Sequence, residues 1–142
     1  MIKKHGSAIW TGTIREGSGK VNTQSGVLSN VRYGFNKRFG DEPGTNPEEL
    51  AGAAHASCFA MALSLQLENA GMEAEELDAT STVYLDKEAD GFAIKKVHLD
   101  LKARIPGADE EKFQEAAAAA KAGCPISKLF AGAEITLDAK LV

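Results

Sequence analysis

The sequence predicts an α+β fold in which mostly antiparallel strands accompany long helices. Three observations lead to this prediction. Residues 50–67 carry no formal charge, the odd positions of residues 77–86 are mostly apolar and the even ones mostly polar, and strands and helices do not alternate regularly along the chain. The predicted order of elements is β-β-β-α-β-β-α-α-β, with no internal repeat.

The composition is that of one ordinary domain. The chain has 142 residues, of which 44% are hydrophobic and 25% are charged, with a net charge of -4. We therefore expect a single domain over residues 1–142. Because no run of four basic residues occurs, we expect neither nucleic acid nor a membrane as a partner. The N-terminal residues lack the apolar segment of a signal peptide, so the expected location is the reducing cytosol.

Three extended segments are predicted in the first 40 residues. Residues 10–14 and 21–28 are rich in Thr, Val and Ile, and the turn residues 16–20 between them predict a hairpin. A third strand is predicted over residues 31–39. The loop at 40–45 contains both Gly and Pro and ends it.

A long helix is predicted over residues 47–70. Asn46 is a suitable N-cap, Pro47 fits the first helical position, and Glu49 completes the spacing of a capping box. Gly71 is the expected stop signal. These residues define both ends of the helix.

The uncharged part of this helix is long enough to raise the question of a membrane span. His55, Ser57, Ser64 and Gln66 lie inside it, so a buried central helix is the better interpretation. A helix of this length runs about 36 Å, more than one small domain covers easily. We expect a partner chain to cover it, with packing inside one chain as the alternative. A ridge of small residues on the helix would allow close approach: Gly52, Ala56 and Ala60.

The second half of the chain predicts a second hairpin, two helices and a final strand. Strands are expected at 77–86 and 92–105, with a bulge at 95–96 where the apolar phase changes. Residues 109–122 have high helix propensity, and the alanine run within them predicts helix rather than low-complexity disorder. Gly123 is expected to end this helix, and Cys124 should cap a short helix at 126–130. A strand at 133–142 completes the chain.

Cys58 and Cys124 are the first candidates for chemistry. In a reducing compartment, two cysteines are expected to be free thiols or a working redox pair. A thiol with a pKa near 8.5 is only about 3% thiolate at pH 7, and a pKa of about 5.5 would raise that fraction roughly thirtyfold. A cation has to supply the shift. Arg38 and Lys37 are the nearest in sequence, and Arg15 and Lys128 are weaker candidates.

Glu48 could serve the same site or only complement the dipole of its helix. Ten residues of helix separate it from Cys58, about 15 Å along the axis, so the two side chains cannot touch within one helix. Either Arg38 bridges them or they come from different subunits. We predict that Arg38 and Glu48 of one chain face Cys58 of its partner.

His55 lies three residues before Cys58 on one helix face. That spacing could hold a metal or orient a nucleophile, and the alternative is a core or interface histidine. His5 and His98 have no evident paired ligand in the sequence, and there is no C-x-x-C motif. A closed four-ligand zinc site therefore has little support.

The sequence resembles the OsmC/Ohr family of osmotically inducible and organic hydroperoxide resistance proteins, and within it the OsmC branch. The resemblance runs nearly end to end. Five segments carry it: GSAIWTG at 6–12, YGFNKRF at 33–39, GTNPEEL at 44–50, AAHASCF at 53–59 and KAGCP at 121–125. Ser57, where Ala is usual, and one apparent extra residue near 131–132 are the two departures.

The resemblance implies an intertwined homodimer, with two sheets wrapped around long central helices, and a thiol peroxidase that acts at the subunit interface. Position by position, it implies that Cys58 is the peroxidatic cysteine, Cys124 the resolving cysteine, Arg38 the activating arginine and Glu48 its carboxylate partner. It implies an organic hydroperoxide as substrate and an external dithiol, such as lipoyl groups on carrier proteins, as reductant. No cofactor is expected.

Two other functions remain open at this stage. A stress-related binding or structural dimer would leave both cysteines incidental. A metal-binding protein or a Cys-His acyl-transfer enzyme would use His55 together with Cys58. These alternatives predict no peroxide consumption.

Overall fold

The computed structural model describes all residues, 1–142, and the chain divides into two compact units. The N-terminal unit is Met1–Leu50 and the C-terminal unit is Ala51–Val142. The elements in chain order are β1 (Gly6–Thr11), β2 (Ser18–Thr23), β3 (Val31–Tyr33), α1 (Phe35–Phe39), α2 (Pro47–Asn69), β4 (Glu76–Glu88), β5 (Gly91–Arg104), α3 (Glu110–Gly123), α4 (Pro125–Leu129) and β6 (Glu134–Leu141). The α+β prediction is confirmed.

The N-terminal sheet has the order β1-β2-β3 and is antiparallel throughout. The predicted hairpin exists, but both strands begin several residues earlier than predicted. Gly19, which we assigned to the turn, lies inside β2 opposite Trp10 and Tyr33. A Cβ at Gly19 would come within 2.4 Å of the Tyr33 ring, so glycine is needed there for packing.

The third strand is shorter than predicted, and residues 35–39 are helical. The amides of Lys37 and Arg38 both donate to the carbonyl of Gly34, which starts α1. The rings of Phe35 and Phe39 lie one turn apart with centroids 4.8 Å from each other. The prediction of a strand through residue 39 was therefore wrong, because this local i,i+4 contact favours a helical turn.

Helix α2 begins as predicted. The amide of Glu49 donates to Oδ1 of Asn46 at 2.8 Å, while the Glu49 carboxylate accepts from the Thr45 hydroxyl at 2.8 Å. The capping arrangement fixes the chain as it enters the helix. The helix ends at Asn69, and Gly71 follows with φ +78°.

In this single chain, α2 is buried along one face only. His55, Phe59, Leu63 and Leu67 recur every four residues on the buried face. On the other side Met61 is 75% exposed, and cover of this face by a partner chain stays a prediction. By length and composition α2 could cross a membrane, and 28% of its most apolar window is buried. A core helix of a soluble protein meets the same criteria.

The C-terminal unit is built on the sheet β4-β5-β6. Strands β4 and β5 form the predicted hairpin, and the register shifts at Tyr84/Leu85, opposite Lys95, where the bulge was predicted. Strand β6 runs parallel to β5. Helices α3 and α4 lie between these two strands in sequence and provide the crossover that a parallel pair requires.

The core of the C-terminal unit lies between this sheet and the helices. Every second side chain of β5 points into this core, because successive side chains of a strand point to opposite faces. Helices α2 and α3 contribute their buried faces. A Cβ at Gly52 would come within 2.8 Å of the Ser81 carbonyl, so the small-residue ridge of α2 does permit close approach, here by β4. The largest fully buried apolar side chains are Phe59, Phe113, Leu63, Leu67, Leu99, Leu101 and Val97.

Candidate active site

The structure brings Cys58 and Cys124 together although 65 residues separate them in sequence. Both are free thiols, and each shifts the pKa of the other. Cys58 lies in the middle of α2 and is partly exposed, whereas Cys124 is completely buried. The two thiols are therefore neighbours, and Cys58 is the one that solvent can reach.

Cys124 lies at the N-cap of α4, as the sequence predicted. Burial by itself raises the pKa of the Cys124 thiol. The hydrogen bond from Cys58, the Ser127 amide and hydroxyl and the Ile126 amide outweigh this effect, so its pKa lies below the usual value. The start of a short helix thus supplies amide donors that stabilise a thiolate.

The surroundings of Cys58 within the C-terminal unit shift its pKa in the opposite direction. Burial raises the pKa of the Cys58 thiol, its hydrogen bond to Cys124 raises it further, and the Ile126 amide only partly offsets them. None of these groups is a cation. Activation of Cys58 therefore needs a positive charge that residues 51–142 do not place beside it.

Arg38 and Glu48 form a two-bond ion pair in the N-terminal unit. Nε of Arg38 donates to Oε2 of Glu48 at 3.1 Å, and Nη2 lies 3.0 Å from Oε1. The Glu48 side chain is 12% exposed and that of Arg38 is 30% exposed. This two-bond geometry fixes the plane of the guanidinium and leaves its remaining N–H donors available.

The other candidate cations have other partners. Nζ of Lys37 lies 3.4 Å from Oε2 of Glu42, and the Arg15 guanidinium lies 5.0 Å from the centroid of the Phe35 ring. Lys128 is an exposed residue of α4. Arg38 is the candidate whose charged group is held by two bonds to one carboxylate, which fixes the plane of its guanidinium.

His55 is completely buried, and both ring nitrogens are engaged. Nδ1 lies 2.9 Å from the Ser81 hydroxyl, and Nε2 lies 2.8 Å from the Ser127 hydroxyl. Burial lowers the pKa of His55. With both nitrogens occupied, His55 is not placed to ligate a metal together with Cys58. Neither serine was predicted from the sequence as a partner of His55, although Ser81 is a polar residue in the otherwise apolar, buried phase of β4.

One group of side chains could hold a metal ion. Nε2 of His98 lies 3.4 Å from a carboxylate oxygen of Asp100 and 3.3 Å from one of Asp138. Its Nδ1 is hydrogen-bonded to Thr136 at 2.5 Å. The expectation that His98 has no paired ligand was wrong, because the parallel register of β5 and β6 brings Asp138 beside Asp100. This group belongs to the outer face of the sheet and involves neither cysteine.

Two neighbouring thiols, one at a helix N-cap and one inside a long helix of an α+β fold, define a two-cysteine thiol protein. The sequence model of the family described as OsmC-like protein matches residues 40–140. The chain belongs to the OsmC-like family.

Individual relatives agree with this assignment. The chain is 53% identical over 140 residues to Peroxiredoxin OsmC of Escherichia coli, covering 99% of this chain and 97% of that protein. It is 32% identical over 131 residues to the organic hydroperoxide resistance protein OhrB of Bacillus subtilis, covering 91% and 92%. The crystal structure of OhrB from that species superposes with a TM-score of 0.75 at 28% identity, covering 96% of this chain and 98% of that one.

Proposed function

We propose that the protein is a thiol-dependent peroxidase that reduces organic hydroperoxides to alcohols, and hydrogen peroxide more weakly. The observation that carries the proposal is the contact between the partly exposed Cys58 and the buried Cys124. Relatives named as a peroxiredoxin and as an organic hydroperoxide resistance protein support the same activity.

The first step takes place at Cys58. Its thiolate attacks the outer oxygen of the hydroperoxide, the O–O bond breaks, and the sulfur becomes a sulfenic acid. The alkoxide leaves with the bonding electron pair and takes up a proton to become the alcohol. Since Cys58 is the exposed member of the pair, it is the sulfur that a peroxide can reach.

Arg38 supplies the positive charge for this step, and Glu48 holds it in position. The guanidinium stabilises the Cys58 thiolate before attack and the negative charge on the leaving oxygen during attack. The ion pair with Glu48 fixes the guanidinium plane in advance, so little reorganisation is needed in the transition state.

The second and third steps restore the enzyme. The Cys124 thiolate attacks the sulfenic sulfur and forms the Cys58–Cys124 disulfide, and hydroxide leaves as water with the proton that Cys124 released. An external dithiol then reduces the disulfide and is itself oxidised, and lipoyl groups are the chemical class proposed for it. The cycle uses thiols alone and requires no metal, haem or flavin.

The working unit is proposed to be a homodimer of single OsmC-like domains spanning residues 1–142, located in the cytosol. The exposed apolar side chains on one face of α2 support a second copy as the covering partner, because burying Met61 and Leu65 would be favourable. We propose that Arg38 and Glu48 of one subunit serve Cys58 of the other.

The test is intact mass and thiol count after one equivalent of cumene hydroperoxide in chelator. A loss of about two daltons with both thiols consumed supports the cycle, because disulfide formation removes two hydrogens. The variant Cys58→Ser should consume no peroxide while keeping its fold, and Cys124→Ser should stop at the Cys58 sulfenic acid. If the wild type keeps both thiols and leaves the peroxide unspent, the binding-protein alternative is the better one.

A further inference from the structure

His55 has no role in the proposed cycle, yet Ser127 links it to Cys124, the resolving cysteine of that cycle. The Ser127 hydroxyl lies 2.8 Å from Nε2 of His55. Ser127 also stands in the first turn of α4, three residues after the N-cap Cys124, where its hydroxyl lowers the pKa of the Cys124 thiol. On the other side of the ring, Ser81 lies 2.9 Å from Nδ1. A continuous line of polar side chains from β4, α2 and α4 therefore ends on the resolving sulfur. His55 and Ser127 are both buried.

The hydrogens available in this line determine its direction. A neutral imidazole has one N–H and one lone pair, and each serine hydroxyl has one hydrogen. If Ser127 donates its hydrogen to Cys124, its oxygen can accept only from the Nε2–H of His55. Nδ1 then carries the lone pair and accepts from the Ser81 hydroxyl. Every hydrogen in the line is used once, and all of them point towards the sulfur.

Ser81 is compatible with both neutral tautomers of His55, because its hydroxyl can donate to Nδ1 or accept from Nδ1–H. The negative charge of a Cys124 thiolate favours the tautomer in which Ser127 donates to the sulfur. In the opposite tautomer, Nδ1–H would donate to Ser81 and Nε2 would accept the Ser127 hydrogen, which would leave Cys124 without that donor. Strand β4 lies close to α2 at Ser81. The Ser81 carbonyl oxygen would be only 2.8 Å from a Cβ at Gly52, so the missing side chain of Gly52 permits this approach. The fold thus places Ser81 next to Nδ1, where its hydroxyl donates when Nε2 carries the hydrogen.

We propose that His55 is a positioning residue that commits the Ser127 hydroxyl hydrogen to Cys124, while Ser81 satisfies Nδ1, and so prepares this sulfur to attack the sulfenic acid. The inference rests on the proposed peroxidase function. In the step concerned, the Cys124 thiolate attacks the Cys58 sulfur, the S–O bond breaks, and the hydroxide that leaves combines with the proton released by Cys124.

The experiment is the pH dependence of disulfide formation in Ser127→Ala, measured after a rapid pulse of cumene hydroperoxide and acid quench. Loss of one donor to a thiolate should raise the pKa of Cys124 by about one unit and reduce the thiolate fraction about tenfold below that pKa. A more basic thiolate is also a better nucleophile, with a Brønsted coefficient of about 0.4–0.5, so the net rate should fall only about threefold. Above both pKa values the variant should be about threefold faster than the wild type.

Crossing of the two pH profiles distinguishes this role from a structural one. A variant that merely loosens the site should be slower at every pH. Ser127→Thr retains the hydroxyl and should restore the wild-type profile. His55→Leu removes the Nε2–H and should shift the profile in the same direction as Ser127→Ala. Thr82→Ala, on the exposed face of β4, is the matched control and should change nothing.

The outcomes separate the inference from the function on which it rests. If the wild type forms no disulfide, the peroxidase proposal fails. If the wild type forms it and the Ser127→Ala profile either superposes on it or is uniformly slower without a crossing, the inference is overturned.

Discussion

Glu48 binds the Arg38 guanidinium with both carboxylate oxygens, at 3.1 Å to Nε and 3.0 Å to Nη2. The two residues are ten positions apart, one in the short helix α1 and the other in the first turn of α2. The Glu48 charge also complements the N-terminal dipole of α2, so this carboxylate is stabilised from two sides. The guanidinium is therefore oriented before any substrate arrives.

The first prediction concerns this pair. Arg38→Ala should lower kcat/KM for cumene hydroperoxide by about 10²–10³-fold, because it removes the charge that stabilises the thiolate and the leaving oxygen. Glu48→Gln should have a smaller effect, since the amide can still accept one hydrogen bond from the guanidinium. Arg15→Ala is the control and should stay close to wild type. An equal loss in Arg15→Ala would mean that the cation has been assigned wrongly.

The second prediction concerns the oxidised protein. A Cys58–Cys124 disulfide closes a loop of about 67 residues, which by chain entropy stabilises the fold by about 4 kcal/mol. For a chain of this size that corresponds to a rise in Tm of roughly 10 °C. Calorimetry of reduced and peroxide-treated protein measures the difference, with peroxide-treated Cys124→Ser as control. An unchanged or lower Tm would mean that the bond forms only with strain in the native structure.

Much of the fold could be predicted from local signals. Asn46 and Glu49 start α2 because an N-cap and its partner three residues later act within one turn. The bulge at Lys95 follows from a phase change that is visible in the side chains of a single strand. The short helix α1 was missed because five residues are too few for periodicity to distinguish a helix from a strand.

In the candidate site, the contacts that could not be predicted from the sequence join segments that lie far apart in the chain. The pairing of Cys58 with Cys124 was expected because two cysteines in a reducing compartment can form a working redox pair, and because of the family resemblance. The partners of His55 lie 26 and 72 residues away, and no local spacing indicates them. Likewise, Asp138 joins His98 only because β6 pairs in parallel with β5, and pairing direction is not encoded in either strand alone.

The third prediction is a pH dependence of stability due to His55. Burial lowers the pKa of His55 in the folded chain below its ordinary value of 6.5, so below pH 6.5 the unfolded chain binds the additional proton first. This contribution to stability is complete above about pH 6.5 and is lost as the pH falls towards the folded-state pKa, with a slope of at most about 1.4 kcal/mol per pH unit.

Urea unfolding at pH 7.5 and 5.5 measures this effect as a difference between variants. The wild type should lose more stability between the two pH values than His55→Gln, which cannot titrate. His5→Gln removes an exposed histidine and should behave like the wild type. An equal pH-dependent loss in the wild type and His55→Gln would contradict a buried neutral imidazole.

The fourth prediction decides whether the site is shared between subunits. Arg38→Ala keeps Cys58, Cys58→Ser keeps Arg38, and each homodimer alone should be inactive. If Arg38 acts on Cys58 of the partner, a mixed dimer contains one complete site. Random reassociation makes about half of the dimers mixed, so activity should return to about a quarter of the wild-type value. The two variants have to be refolded together, because an intertwined dimer would exchange subunits slowly.

If Arg38 instead acts on Cys58 of its own chain, each mixed dimer carries one site without the cation and one without the thiol, and no activity returns. A second mixture, of Cys58→Ser with the double variant Cys58→Ser/Arg38→Ala, controls for effects of refolding and should be inactive under either arrangement. Recovery confined to the first mixture would establish a shared site and with it the homodimer. No recovery, with wild-type protein regaining full activity after the same refolding, would place the complete site within one chain.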